Sequence, residues 1–308
     1  MYITSLGQLP DIAASCVTIG NFDGVHQGHR TLIQNICHKA RHLGACSVVV
    51  TFWPHPLQVL AGRHAPPLLT SRGERQRLLH ELGVGMVLEL PFDRQLAALS
   101  PAEFVHTVLT PLRCRELVIG YDFSLGKGRA GNVDVLTALG KTCGFGVEQM
   151  PPVIINDAVV SSSRMRDLLR AGEVWELQAI AGRCHAVSGQ VVRGYQRGTA
   201  LGFPTANLAP EDNMLPKAGV YATWAAAKGQ IWPGVTNIGV NPTFGNDGIS
   251  VETFLLDADE RLYGERMTLH FVQRLRDEQR FDSVDALARR IARDAELARG
   301  ILSSAEKP

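Results

Sequence analysis

The sequence contains 308 residues, of which 45% are hydrophobic, so it is long enough for two domains that each bury a core, and a largely disordered chain is excluded. Its formal net charge of +1 gives no general attraction to nucleic acid or to an anionic membrane. Six scattered cysteines without a Cys-x-x-Cys pair, no signal-peptide features and no apolar run of ~20 residues predict a cytoplasmic protein without membrane partners. We expect a monomer or weak homo-oligomer without nucleic-acid partners.

The N-terminal part contains a short apolar strand, SCVTI from Ser15, followed by the glycine-rich stretch GNFDGVHQGH at residues 20–29. Apolar residues then recur at helical spacing, namely Leu32, Ile33, Ile36, Cys37 and Ala40. A strand, a glycine-rich turn and a helix start together point backbone N–H groups and the positive end of a helix dipole at an anion. A tight turn with surface histidines is the alternative, and this segment alone favours neither.

Further strands are predicted along the first half, and helical segments lie between them. The strand candidates are SVVVTF from Ser47, MVLEL from Met86, ELVIG from Glu116 and FGVEQM from Phe145. Two helix starts have capping-box signals, Ser71 with Glu74 and Ser100 with Glu103. This alternation predicts an α/β, Rossmann-like domain with a parallel sheet and helices on both faces, in which ligands bind at the carboxyl ends of the strands.

The pattern changes around residues 181–194, and we predict a domain boundary at residue 182, giving domains 1–182 and 183–308. Strand-like pieces with Gly and Pro turns follow: GVYATWAAAKGQIWPGVTNIG, SVETFLLD and RMTLHFVQRL. They predict a small antiparallel β-barrel. One helical face after Ser283, formed by Val284, Leu287, Ala288, Ile291 and Ala295, predicts a C-terminal helix that closes the barrel.

Two motif-like features do not support a site. Gly140-Lys141-Thr142 resembles the end of a phosphate-binding P-loop, but the first glycine of that motif would fall at Val135, and the tripeptide ends a helix. His38 and His42 share a helical face but lack the glutamate that a zinc protease needs, so we interpret them as solvated.

The stretch G-N-F-D-G-V-H-Q-G-H resembles the signature of the nucleotidyltransferase superfamily, in the version of the bacterial bifunctional riboflavin kinase/FAD synthetase family. Three further stretches are similar to the adenylyltransferase module of that family: TFWPHP (51–56), GYDFSLGK (120–127) and SSSRMR (161–166). Trp53 and Leu125 differ from the acidic and aromatic residues more frequent there. The resemblance implies catalysis by His26, His29 and Arg166. It also implies nucleotide or flavin binding by Gly20, Phe22, Asp23, Gly24, Gly28, Pro54, His55, Pro56, Asp122, Ser162 and Ser163.

The second half contains LGFPTANL (201–208), which resembles the riboflavin kinase signature of the same family. Family-like stretches begin at Gly219, Thr236, Val251 and Arg261, while Phe254 replaces a frequent His and Thr199 an often basic residue. The Thr205 hydroxyl and the Asn207 carboxamide are hard oxygen ligands that suit Mg²⁺. The resemblance implies that Glu252 is the catalytic base and that Gly202, Pro204, Thr205 and Asn207 bind the magnesium nucleotide.

The resemblance therefore implies two reactions with ATP as co-substrate and Mg²⁺ as cofactor: phosphorylation of riboflavin to FMN, then adenylylation of FMN to FAD with release of pyrophosphate. Two alternatives stay open. One is an adenylyltransferase of the same superfamily that acts on a pantetheine or nicotinate phosphate, against which the kinase-like second half counts. The other is a flavin-binding regulator that has kept the pockets without turnover.

Overall fold

The computed structural model describes residues 1–194, 202–240, 248–258 and 260–308. Its contacts divide the chain into two units, Met1–Pro67 with Arg72–Ser161 and Leu68–Ser71 with Ser162–Pro308. Segment 162–181, which lies before the boundary we predict at residue 182, thus packs with the second unit. No helix in the described ranges is long and apolar enough to cross a membrane.

The first unit contains a parallel six-stranded sheet and a short hairpin. The sheet strands are β1 (Tyr2–Ile3), β2 (Ser15–Ile19), β3 (Cys46–Trp53), β4 (Met86–Pro91), β5 (Cys114–Ile119) and β6 (Gly146–Gln149). They lie in the order β1-β4-β3-β2-β5-β6. The hairpin pairs β7 (Ile154–Ile155) with β8 (Ala158–Val159). The predicted parallel sheet is confirmed.

Helices cover both faces of this sheet. They are α1 (Gln27–Leu43), α2 (Pro56–Leu60), α3 (Arg72–Glu81), α4 (Arg94–Ala98), α5 (Pro101–Phe104), which continues as a π-helix (Val105–Leu109), and α6 (Val133–Cys143). Short 3₁₀ turns occupy Leu6–Gln8, Gly62–His64 and Lys127–Arg129. Alternate residues of β3 pack into separate cores: Val49 packs with α1 and α3, whereas Val48 and Val50 pack with the residues of α5 and α6. Such double coverage explains why β3 is apolar along nearly its whole length.

Local signals account for several helix ends. Ser100 Oγ accepts a hydrogen bond from the Glu103 N–H (3.3 Å), and the Glu103 carboxylate accepts from the Ser100 N–H (2.7 Å), so this capping box is confirmed. The P-loop-like tripeptide lies in the last turns of α6. There, a Cβ on Gly140 would come within 2.5 Å of the Phe145 carbonyl oxygen, so close packing explains this glycine.

The second unit combines two helices, a closed antiparallel barrel and a C-terminal helix. The helices are α7 (Ser162–Ala171), α8 (Val174–Ala181) and α9 (Val284–Ser304). The strands are β9 (His185–Val192), β10 (Thr205–Pro210), β11 (Gly219–Ala227), β12 (Gln230–Val240), β13 (Ile249–Leu255) and β14 (Arg266–Arg276). They close in the order β10-β13-β12-β11-β14-β9. The predicted barrel with a closing helix is confirmed.

Polar side chains on three neighbouring strands meet in fully buried positions of the barrel. Thr236 Oγ1 lies 2.8 Å from the Thr223 hydroxyl and 2.9 Å from the Thr253 hydroxyl, so the hydroxyls satisfy one another. Outside the barrel, α9 begins after Ser283, whose hydroxyl accepts from the Ala286 N–H (3.1 Å). Its small residues Ala295 and Ala298 pack in one core with strand residues of the barrel.

A fragment of residues 162–308 is expected to be more stable than a fragment of residues 183–308. The reason is α8, which contacts β9 and β14 and fully buries Val174, Leu177 and Ile180. Burying one such side chain contributes roughly 1.5–3 kcal/mol, so the shorter fragment should lose several kcal/mol of unfolding free energy. Thermal unfolding followed by circular dichroism measures the difference. Equal midpoints for the two fragments would contradict the packing role of α8.

Candidate active sites

Three of the family-like stretches follow neighbouring strands of the parallel sheet. The order β3-β2-β5 brings together the carboxyl ends that lead into WPHP (53–56), GNFDGVHQGH (20–29) and GYDFSLGK (120–127). The crossover from β4 to β5 passes to the other side of β2, which makes the gap between β2 and β5 a topological switch point. Ligands of open α/β sheets bind at such a point.

The two histidines of the first stretch lie together at the start of α1. Buried His26 is the N-cap, and its Nδ1 accepts a hydrogen bond from the His29 N–H (3.3 Å). The imidazole rings stack with their centroids 3.6 Å apart. Because Nδ1 of His26 accepts, a neutral ring carries its proton on Nε2, where it can donate to an anion. A Cβ on Gly28 would come within 3.2 Å of the His26 ring, so this glycine gives the ring its space.

The loop before these histidines has an unusual backbone. Phe22 and Val25 adopt φ of +50° and +36°, and Gly24 between them adopts +82°. Non-glycine residues with positive φ are uncommon, and their clustering is typical of functional loops. Phe22 is buried and packs edge-on against His29, with ring centroids 5.1 Å apart. Asp23 is buried as well, and a Cβ on Gly20 would come within 3.1 Å of the Phe22 ring.

The next two loops differ in exposure. His55, between Pro54 and Pro56, is buried and caps α2 through a hydrogen bond from the Leu57 N–H to its Nδ1 (3.2 Å). Asp122 is exposed, and its carbonyl oxygen accepts from Arg129 (3.2 Å). Leu125 is buried instead of being presented to solvent.

Ser162, Ser163 and Arg166 lie in the first turns of α7, in the second unit. Arg166 is buried and Ser163 is exposed. Whether these residues act with His26 and His29 therefore stays a prediction.

In the second unit, Glu252 lies between two asparagines on the neighbouring strands. The register pairs Asn207 of β10 and Asn237 of β12 with Glu252 of β13. Thr205, two residues before Asn207, donates from Oγ1 to Glu252 Oε2 (3.4 Å). A Cβ on Gly194 would come within 2.5 Å of the Asn207 carboxamide, so this amide packs directly on the backbone. The structure thus brings Thr205, Asn207 and Glu252 together on neighbouring strands, and their roles stay a prediction.

A cavity of about 270 Å³ opens beside Glu252 and Thr205. Its apolar wall contains Phe203, Val220, Val235, Phe254, Leu287 and Ile291, and its polar residues include Asn237, Arg276, Glu278, Gln279 and Asp294. Phe203 and Phe254 pack edge to face, 5.3 Å between centroids. Two aromatic side chains in an apolar wall with a polar border suit a flat heteroaromatic ligand. Gly202, with φ of +81°, and exposed Pro204 precede Thr205.

Buried Asp294 joins α9 to the barrel at this cavity. Its Oδ2 accepts from Arg276 Nε (2.9 Å), and Arg290 Nε lies 3.1 Å from its Oδ1. The sequence reading missed Asp294, Arg276 and Asn237. The sequence could have indicated Asn237, because it lies in the family-like stretch that begins at Thr236. Residues 241–245 of that stretch and Thr199 lie outside the described part of the chain.

The first unit also contains a buried ion-pair cluster that was not predicted from the sequence. Glu89 of β4 accepts from Arg72 Nε (2.8 Å) and Arg75 Nη2 (2.7 Å), and both guanidinium groups lie about 5.5 Å from the Trp53 ring centroid. Burial raises the pKa of Glu89, but the hydrogen bonds and positive charges around it outweigh burial and lower the pKa overall. Glu89 is thus a buried carboxylate whose two arginine partners also lie against the Trp53 ring. The sequence feature that could have indicated this cluster is a glutamate in an otherwise apolar strand.

Comparisons with known proteins find matches for both parts of the chain. The family model for FAD synthetase matches residues 10–164, and the model for riboflavin kinase matches residues 181–302. The bifunctional riboflavin kinase/FMN adenylyltransferase of Pseudomonas fluorescens is 38% identical over 294 residues, covering 95% of this chain and 94% of that protein. The protein so named from Escherichia coli K12 is 38% identical over 300 residues, covering 96% and 95%. A Streptococcus pneumoniae crystal structure described as a macrolide-efflux protein has a TM-score of 0.89 at 29% identity, covering 97% and 98%.

Proposed function

Since the chain belongs to the bifunctional riboflavin kinase/FMN adenylyltransferase family, we propose that its two sites divide those reactions between the units. The barrel unit phosphorylates riboflavin to FMN, and the α/β unit adenylylates FMN to FAD. The observation that carries the proposal is the meeting of Thr205 and Glu252 at one cavity, with Asn207 paired to Glu252 on the neighbouring strand, together with the stacked His26 and His29 at the carboxyl edge of a parallel sheet.

In the barrel unit, Glu252 takes the proton of the riboflavin 5′-hydroxyl as that oxygen attacks the γ-phosphorus of ATP. The new O–P bond forms while the bond from the γ-phosphorus to the β,γ-bridging oxygen breaks, which gives FMN and ADP. The apolar wall with Phe203 and Phe254 accommodates the flat flavin ring, and the volume of about 270 Å³ is near the lower end of ligand pockets, ~300 Å³.

Mg²⁺ fits the donor set of this unit. Thr205 and Asn207 lie two residues apart on β10 and so share a face, with Glu252 in contact with Thr205. No group of three or more His, Cys, Asp or Glu ligands occurs in the described ranges. Mg²⁺ is typically held by one or two protein oxygens plus phosphates and water, which the Thr205 hydroxyl and the Asn207 carboxamide can supply in part. When bound, the ion neutralises phosphate charge, and Thr205 and Asn207 would hold it.

In the α/β unit, an FMN phosphate oxygen attacks the α-phosphorus of a second ATP and pyrophosphate leaves. A phosphate monoester is already ionised, so this step depends less on a general base than on groups that stabilise the negative charge developing in the transition state. His26, His29 and the N-terminus of α1 supply donors at one place. Arg166, Ser162 and Ser163 are proposed to add contacts to the phosphates.

Incubation of the purified chain with riboflavin, ATP and Mg²⁺ tests the proposal. FMN is expected to appear first and FAD afterwards, both separated by chromatography. Supplied 4′-phosphopantetheine or nicotinate mononucleotide should not be adenylylated, which distinguishes the other adenylyltransferases. Flavin binding without either product would instead support the regulator. The cysteines are free and the proposed reactions consume ATP, and both points support a cytoplasmic location. We also propose that the protein is a monomer or weak homo-oligomer.

A further inference from the structure

Arg75 of α3 connects three strands of the sheet in the first unit through one guanidinium group. Its Nη1 donates to the Asn21 carbonyl oxygen (3.1 Å), and its Nη2 donates to the Phe52 carbonyl oxygen (3.1 Å) and to Glu89 (2.7 Å). Asn21 follows β2 at the start of the histidine loop, and Phe52 directly precedes the WPHP stretch. Only 4% of the Arg75 side chain is exposed, so these bonds are protected from water.

The Asn21 carbonyl accepts hydrogen bonds from two side chains, directly before a residue with positive φ. It also accepts a hydrogen bond from Thr51 Oγ1 (3.3 Å), and the next residue, Phe22, has a φ of +50°. Such a conformation persists at a non-glycine residue only when its surroundings determine it. Phe22 in turn packs against His29, which stacks on His26.

We propose that Arg75 is a positioning residue for adenylyl transfer, which holds the Asn21 carbonyl and, through Phe22, sets the place of His29. This inference rests on the proposed role of His29 in the reaction. Arg75 itself is buried behind the loop and acts on the substrates through these neighbours.

The competing explanation is that Arg75 only neutralises the buried Glu89. Arg72 allows the two roles to be separated, because it pairs with the same carboxylate through Nε (2.8 Å) and also lies against Trp53. Its side chain is 43% exposed, and within the described ranges it donates to neither loop. Arg72→Met is therefore a matched control that removes a cation from Glu89 and leaves the carbonyl contacts intact.

The decisive variants are Arg75→Lys and the double variant Arg75→Met/Glu89→Leu. Lysine keeps the charge beside Glu89, but an ammonium group cannot reproduce the planar fork that reaches both carbonyls. The double variant removes both buried charges together, so neither is left unpaired. Both should lower kcat for conversion of supplied FMN to FAD by about 10- to 100-fold, since small misplacements of reacting groups have such effects. KM for FMN and ATP should change less than kcat.

Arg72→Met should keep FAD synthesis within about three-fold of the unmodified protein, and riboflavin phosphorylation should be unchanged in all variants. Wild-type kcat in Arg75→Lys or in the double variant would overturn the proposal, as would a loss confined to KM. A wild-type protein that makes no FAD would instead refute the proposed function, so the two failures are distinguishable. If one decisive variant does not fold by circular dichroism, the other still decides the question.

Discussion

Glu252→Gln is expected to lower riboflavin phosphorylation by about 10²–10⁴-fold, the usual contribution of a general base. A hydroxyl is a weak nucleophile, so removal of its proton in the transition state lowers the barrier by roughly 3–5 kcal/mol. In the unmodified protein Thr205 Oγ1 lies 3.4 Å from the Glu252 carboxylate. Glutamine keeps the shape of the side chain and an oxygen that can accept this hydrogen bond, but it cannot take the proton of the hydroxyl. Single-turnover formation of FMN measures the rate, and a riboflavin titration measures binding, which should be nearly unchanged.

Two controls distinguish catalysis from binding at this site. Supplied FMN should become FAD at the wild-type rate, because the histidines are in the other unit. Asn207→Ala should weaken binding of the magnesium nucleotide as well as turnover, since it removes a proposed metal ligand. A near-normal rate in Glu252→Gln would make Glu252 a surface carboxylate, and a lost titration signal would make it a binding residue. Either result contradicts its assignment as the base.

The architecture could be predicted because its signals are local. Apolar runs separated by amphipathic helices determine the parallel sheet, and Ser100 with Glu103 and Ser283 mark helix starts by side-chain hydrogen bonds that involve only neighbouring residues. The extent of the second unit was not predictable in this way. Helix α8 packs on the barrel through fully buried Val174, Leu177 and Ile180, and an apolar face alone does not specify which core it joins.

In the candidate sites, too, local features could be predicted from the sequence and contacts between distant elements could not. His26 and His29 are three residues apart at a helix start, so their proximity follows from the sequence. The pairing of Arg75 with Glu89, or of Asn237 with Glu252, depends on how separate elements align in the folded chain. A single sequence gives no register between strands, so it could indicate that Glu89 is an unusual residue in an apolar strand but not which cation satisfies it.

His29→Ala is expected to reduce FAD formation from supplied FMN by ~10²–10³-fold, as the loss of one donor to a developing charge does in other enzymes. The His29 ring contacts both Phe22 and His26, so its removal also eliminates these two ring contacts. His38→Ala is the matched control, since His38 is exposed on the same helix and contacts His42 instead. Single-turnover FAD formation with saturating FMN and ATP measures the effect, while riboflavin phosphorylation and the His38 variant should stay near wild type. A folded His29→Ala protein with an unchanged FAD rate would show that the histidine loop is an ordinary turn and that the donors for adenylyl transfer lie elsewhere.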